Sequence, residues 1–366
     1  MLSRGSLPAL VLALVMLVGC AAPQVGQQPS VPAGAGPQRP LAELTPLAEP
    51  KSYTGPTTAL LAQPDIAPEP TPVAKLPVTV TDHQGTQVTV TDTSRILAFD
   101  MSGTLGATVF GLGLGDRVVG RDISTGFPAA QHLPLITVNG HQLNAEAILK
   151  LRPSVVVTDT TLGPWDVLLQ LRASGIPVVV VDAKRSMDNV ADLVRGVAAA
   201  LGIIETGERL AGRLLREIDT KKAEITKLAP AEPGRKLRTV FLYLRGQAGV
   251  YYMFGKGSGA DSLITALGAV DVASEVGFEG MRPVNPEALA KAAPDVILMM
   301  TKGLESVGGV DGALKVPGVA QTPAGAHRRI VDMSDYQILG FGPLTSGVLD
   351  ALARALYAPD SVKAAG

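Results

Sequence analysis

From Leu76 onward, short apolar runs rich in β-branched residues alternate with stretches whose apolar positions recur every three or four residues. The first pattern has the period of a buried strand, the second that of a helix packed by one face. Pro77–Thr91 alternates strictly and breaks at Gln84-Gly85, which predicts a β-hairpin. Strands are predicted at Arg95–Phe99, Val118–Gly120, Pro134–Val138, Ser154–Thr158 and Pro177–Val181, with helices at Leu105–Leu114, Asn144–Leu151 and Gly163–Ser174. The second half repeats the alternation, with strands at Thr239–Leu244, Val250–Met253, Asp295–Met300 and Arg328–Asp332. Helices open there at Ser258 and Asn285, and Pro343–Tyr357 forms a closing helix. Such alternation predicts an α/β fold of mainly parallel sheets with right-handed crossovers.

Between the halves, Ser186 to Leu228 has no proline and carries apolar residues at helical spacing: Val190, Leu193, Val194, Val197 and Leu201, then Leu210, Leu214 and Ile218. Gly196, Gly202, Gly207 and Gly212 weaken this segment and allow a break near Gly202–Gly207. It reads as a rigid helical connector (186–228) between an N-terminal α/β lobe (76–185) and a C-terminal one (229–366).

Upstream the periodicity vanishes. Residues 21–75 hold 12 of the 28 prolines, and this stretch reads as a flexible tether. Residues 1–20 carry one early positive charge, an apolar core from Leu7 to Val18, and Leu17-Val18-Gly19-Cys20. That is the make-up of an export signal, too short to span a membrane permanently. Leu-Val-Gly-Cys also resembles a bacterial lipobox, in which Cys20 becomes a lipidated N-terminus. Cys20 is the sole cysteine, so an exported chain without an internal disulfide must rest on its core. The 33 acidic and 32 basic residues nearly cancel, leaving −1 with no basic stripe, which argues against nucleic acid as a partner.

Chemistry concentrates at Thr239-Val-Phe-Leu-Tyr-Leu-Arg-Gly246. Strand geometry puts Phe241, Tyr243 and Arg245 on one face and Val240, Leu242 and Leu244 on the other. Tyr243 and Arg245 then adjoin at a strand's carboxyl end, where open α/β sheets bind ligands. In general a guanidinium beside a phenol favours the phenolate, a hard anionic ligand for ferric iron. His141 follows Asn139-Gly140, on a loop between a predicted strand and a helix. Two such residues on opposing lobes suit the two axial faces of a flat iron complex. A half-buried tyrosine and a surface histidine remain the plainer alternatives.

The halves also share a motif. Leu143-Asn-Ala-Glu-Ala-Ile-Leu-Lys-Leu-Arg-Pro-Ser-Val-Val-Val157 aligns without a gap on Val284-Asn-Pro-Glu-Ala-Leu-Ala-Lys-Ala-Ala-Pro-Asp-Val-Ile-Leu298, and Leu112–Asp116 echoes Leu267–Asp271. Asn144 and Asn285 are predicted N-caps, with Glu146 and Glu287 in the first turns, each four residues before a lysine. Helix-start chemistry with a surface ion pair accounts for these glutamates. So does a pair of matched acidic points, one per lobe, docking a partner with two basic pockets.

Lipobox, tether, two α/β lobes, long connector and repeated Asn-x-Glu helix starts together resemble the substrate-binding lipoproteins of ABC importers. The resemblance is to the class III type, two Rossmann-like lobes bridged by one long α-helix, which serves cobalamin, ferric siderophores and haem. Within it, Gly140-His141-Gln-Leu-Asn-Ala-Glu146 with Tyr243-Leu-Arg245 is similar to the haem-binding branch. The resemblance implies that His141 and Tyr243 ligate the iron of a transported haem b, and that Arg245 holds the tyrosine's oxygen. It implies that Glu146 and Glu287 dock on arginines of an ABC permease that works with an ATPase. It also implies a lipid at Cys20 on the outer face of the cytoplasmic membrane, and upstream haem-binding surface proteins as further partners. A siderophore or cobalamin carrier of the same fold is the alternative.

Other candidates are secondary. Tyr251, Tyr252 and Met253 are placed to line the cleft, although core packing fits them equally. Gly255–Asp261 opens a helix and offers backbone N–H groups to a propionate, or is a plain glycine turn. His83, His132 and His327 fall in turns or loops, and four scattered histidines do not make a zinc site. Without a Gly-x-Ser-x-Gly elbow, and with its one cysteine assigned to the lipid, the chain lacks the parts of a cell-envelope enzyme.

Overall fold

The computed structural model describes residues 34–36 and 38–363; the export signal and Cys20 lie outside them. In chain order the elements are β1 (Thr57–Ala59), the hairpin β2 (Val78–Thr81) and β3 (Gln87–Val90), β4 (Ile96–Phe99) and α1 (Thr104–Gly111). Next come β5 (Thr137–Val138), β6 (Gln142–Leu143), α2 (Ala145–Leu151), β7 (Val155–Thr158), α3 (Trp165–Ala173) and β8 (Val178–Val180). Two helices follow, α4 (Val190–Ala200) and α5 (Ile204–Leu228). The second lobe runs β9 (Arg238–Arg245), β10 (Val250–Phe254), α6 (Ala260–Ala266), β11 (Val270–Asp271), α7 (Val272–Glu275) and β12 (Met281–Pro283). It ends with α8 (Pro286–Ala292), β13 (Val296–Met300), α9 (Thr301–Ser306), β14 (Ile330–Met333) and a closing helix, Thr345–Tyr357.

The N-terminal lobe is built on the parallel order β4-β7-β8, and the C-terminal lobe on β1-β14-β13-β9-β10-β12. The neighbours β9, β13 and β14 are parallel, while β10 returns antiparallel beside β9. Alternation along the strands sorts their side chains between two cores. Ile96, Ala98, Val155, Val157, Phe241 and Leu298 enter one large core that runs from lobe to lobe through α4, α5 and the closing helix. Val240, Leu242, Leu244, Ile297 and Met299 form the outer core of the C-terminal lobe. Leu97, Phe99 and Val156 belong to the outer core of the N-terminal lobe. At about 1.5–3 kcal/mol for each fully buried aliphatic or aromatic side chain, the shared core resists separation of the lobes.

The helical connector differs from a single rod. It breaks at Leu201-Gly202-Ile203, and α4 folds back on α5. Gly207 allows the approach, because a Cβ there would lie 2.3 Å from that of Ala198. The helix that joins the lobes is therefore α5, 25 residues long. The strand expected at Val118–Gly120 is reduced to one parallel bridge, Val118 to Ile96. The strand expected at Pro134–Val138 keeps only Thr137 and Val138, which pair with Gln142 and Leu143 in a separate hairpin.

The larger correction concerns the tether. Over residues 38–75 the chain is a strap packed on both lobes. Leu41, Leu44, Ala59 and Leu61 are buried in the shared core. β1 extends the C-terminal sheet by pairing in parallel with β14. Arg329, wholly buried, donates to Thr57 Oγ1 at 2.9 Å and to the Gly55 carbonyl at 3.3 Å, and stacks 4.6 Å from the Tyr53 ring centre. Burial lowers its pKa to about 10, which leaves it charged at neutral pH. The strap then crosses to α5, where Glu69 meets Arg213 at 3.0 Å, and to the first lobe, where the Glu69 N–H donates to the Gly111 carbonyl. Apart from two short 3-10 turns, Leu41–Glu43 and Pro50–Ser52, prolines leave this segment without a period, so its order comes mainly from partners distant in sequence.

The internal repeat is structural. The motif helices α2 and α8 each lead into a strand that pairs in parallel with an earlier strand of its lobe, β7 with β4 and β13 with β9. Asn144 Oδ1 accepts from the Ala147 N–H, and Asn285 Oδ1 from those of Glu287 and Ala288. Both helices end on a left-handed residue, Arg152 and Ala293, each with φ of 46°.

Candidate functional site

In the C-terminal lobe the carboxyl ends of β9, β13 and β14 stand side by side, and each delivers polar side chains to one rim. Tyr243 and Arg245 come from β9, Lys302 from the start of α9 just after β13, and Asp335 and Tyr336 from the loop after β14. Arg245 Nε donates to Tyr243 Oη at 2.8 Å, and its Nη2 lies 3.6 Å from Asp335 Oδ1. Asp335 is fixed in turn by the Lys302 N–H on Oδ2 at 2.9 Å. Lys302 Nζ donates to Tyr336 Oη at 2.6 Å. Burial opposes the charge on Arg245, but its bond to Tyr243 and the nearness of Asp335 and Tyr336 outweigh this and raise its pKa.

His141 reaches this rim from the other lobe. It sits in the turn of the β5–β6 hairpin, after Asn139 and Gly140, both with positive φ. The hairpin, and not the main sheet's edge, therefore presents it. Its ring is half-buried, and Nδ1 is buried without a hydrogen-bond partner. Burial lowers the pKa of His141; the charge of Arg245 acts in the same direction and that of Asp335 against it. The imidazole is thus held neutral, and so able to donate its lone pair to a metal. That Arg245 and Asp335 act on His141 at all brings the two lobes' candidates together.

The three candidates on β10, Tyr251, Tyr252 and Met253, separate by face. Tyr252 pairs with Tyr243 and shares its side of the sheet, as does Phe254, whose ring centre lies 6.2 Å from that of Tyr243. Tyr251 and Met253 face away, toward the outer core, where Met253 is fully buried. Both are therefore removed from the cleft lining expected of them. The glycine turn is also spoken for: Asp261 accepts the N–H groups of Gly257 and Gly259 at 2.8 and 3.0 Å, which leaves them no free donor for a ligand. Among the described residues no cluster of three or more His, Cys, Asp or Glu could hold a metal ion.

Glu146 and Glu287 are exposed, and neither lies within 4.0 Å of the lysine four residues on, contrary to the expected ion pairs. Sequence reading missed Lys302, Asp335 and Tyr336. Their one signal was position, just beyond strands parallel to β9.

Behind the N-terminal rim lies a buried acidic set. Arg185 bonds Asp100 at 2.8 Å and Asp159 at 2.6 Å. Asp122, wholly buried, accepts from the N–H groups of Ser124 and Thr125 and from the Thr125 hydroxyl. Burial first, and Asp100 second, push its pKa up to about 7. In the unfolded chain its carboxyl titrates near 4. Between these values the folded state binds the extra proton, so stability contributed by the neutral acid is full below about pH 4 and lost as pH rises through 7. Asp122→Asn is expected to raise the unfolding free energy at pH 8 by about 1–3 kcal/mol and to flatten its fall between pH 4 and 7. Urea unfolding across that range tests this, and an unchanged pH profile would contradict it.

Two α/β lobes on a shared core, with polar side chains converging between their edges, define a substrate-binding protein. The chain belongs to the periplasmic binding protein family, which matches residues 103–336. Among solved structures it is similar to the haem-binding protein HmuT, at 40% identity over 85% of this chain and 99% of that one, with a TM-score of 0.80. It is similar to the periplasmic haem-binding protein RhuT from Roseiflexus sp. RS-1, at 38% identity over 74% and 100%, TM-score 0.66. The periplasmic haem-binding protein BhuT in complex with two haems gives 30% identity over 73% and 98%, TM-score 0.62. No curated protein matches the chain.

Proposed function

We propose that this protein captures ferric haem between its lobes and delivers it to the permease and ATPase of an ABC importer. The observation that carries the reading is the bonded pair Tyr243–Arg245 at the carboxyl end of β9, with half-buried His141 presented by the hairpin of the other lobe. A histidine nitrogen and a tyrosine oxygen suit ferric iron, and Arg245 Nε holds that oxygen at 2.8 Å. His141 and Tyr243 would be the axial ligands and Arg245 the residue that holds the tyrosine. Tyr252, half-buried on the same face as Tyr243, would extend the wall against the macrocycle. The similarity to haem-binding structures supports the same cargo. Export accords with the family, and a lipid on Cys20 would retain the protein at the outer face of the cytoplasmic membrane. Surface proteins upstream would supply the haem.

The test is a ferric haem titration of the mature chain lacking Cys20, followed by visible absorption. Saturable one-to-one binding with a Soret shift is expected. No saturable shift would move the cargo to a ferric siderophore or cobalamin.

A further inference from the structure

The acidic side chains of a bound haem need partners, and in the glycine turn the N–H groups of Gly257 and Gly259 are already taken by Asp261. Lys302 is differently placed. Among the described residues its ammonium has no carboxylate within 4.0 Å; it donates to the phenol of Tyr336 and lies 4.7 Å from that ring's centre. One of three N–H donors is used, so two remain for a ligand. Met299 pairs with Leu242, so β13 ends beside the Tyr243–Arg245 end of β9, and Lys302 follows two residues after β13. Tyr336 follows β14, two strand spacings or about 9–10 Å from β9, comparable to the reach from a porphyrin's centre to its acidic side chains. The opposite lobe closes on the same point. Gly126 lies against the Tyr336 ring, where a Cβ would come within 2.9 Å. Beside it is buried Arg121, whose Nη1 reaches only carbonyls, those of Asp122 and Thr125 at 3.3 and 3.5 Å.

We propose that Lys302, held in place by Tyr336, binds a carboxylate of the transported tetrapyrrole, with Arg121 adding positive charge from the opposite lobe. This rests on the haem reading above and adds to it a selection for macrocycles that carry acidic side chains. The test compares ferric haem with its dimethyl ester, which lacks the carboxylates, on the wild-type chain and on Lys302→Met and Lys302→Arg. Lys302→Met is expected to weaken haem about tenfold or more, leave the ester unchanged and keep the tyrosine-to-iron band, with Lys302→Arg recovering most of the loss. Unaltered haem affinity in Lys302→Met, or equal losses for haem and ester, would overturn the assignment while leaving the haem reading intact. Wild-type protein that binds neither compound would overturn both.

Discussion

Tyr243→Phe is expected to weaken ferric haem binding by about two to three orders of magnitude, and His141→Ala by about one. The two proposed ligands differ in charge. A phenolate compensates part of the ferric charge in a site screened from water, whereas an imidazole donates a lone pair without neutralising anything. Removing the oxygen also leaves Arg245 with only Asp335, at 3.6 Å, and so places an under-compensated cation beside the iron. The fold should be indifferent to the change, since phenylalanine keeps the ring that packs toward Phe254. Titration of both variants by visible absorption checks the ranking. The ligand-to-iron band should vanish in Tyr243→Phe and persist, shifted, in His141→Ala. Equal losses would contradict the argument from charge.

How far this site could be read beforehand depended on the range of the interactions that make it. The pair Tyr243 and Arg245 was legible because strand periodicity alone puts residues two apart on one face, and their 2.8 Å bond follows. The α2 and α8 starts were legible because asparagine capping acts within three residues. Lys302, Asp335 and Tyr336 were not, since they meet Arg245 only through the pairing order β9-β13-β14, and register between parallel strands leaves no local trace. For Met253 the sequence left cleft lining and core packing equal, and the alternation along β10 decides for the outer core. The strap failed most completely. Leu41, Leu44, Ala59 and Leu61 are too few and too unevenly spaced to signal order, and their burial depends on a core assembled from the rest of the chain.

Reversing both Glu146 and Glu287 to lysine is expected to abolish haem uptake and leave haem affinity unchanged. Their structural duties are light. The helix starts are already capped by Asn144 and Asn285, and neither glutamate pairs with its lysine. What remains is attraction to the helix end, about 0.3–1 kcal/mol each, so the reversed chain should still fold. Docking on a partner would use two exposed carboxylates at equivalent points of two repeated helices. Each stands on its own lobe, and the shared core fixes the distance between them, so a partner with two basic pockets would meet both at once. Binding through two linked contacts gains far more than either alone, so a single reversal should reduce uptake and the double reversal should end it. Uptake into cells or vesicles carrying the importer, measured beside a haem titration of the same variants, separates the possibilities. Haem binding lost with uptake would make the glutamates structural, and uptake that survives the double reversal would place the docking surface elsewhere.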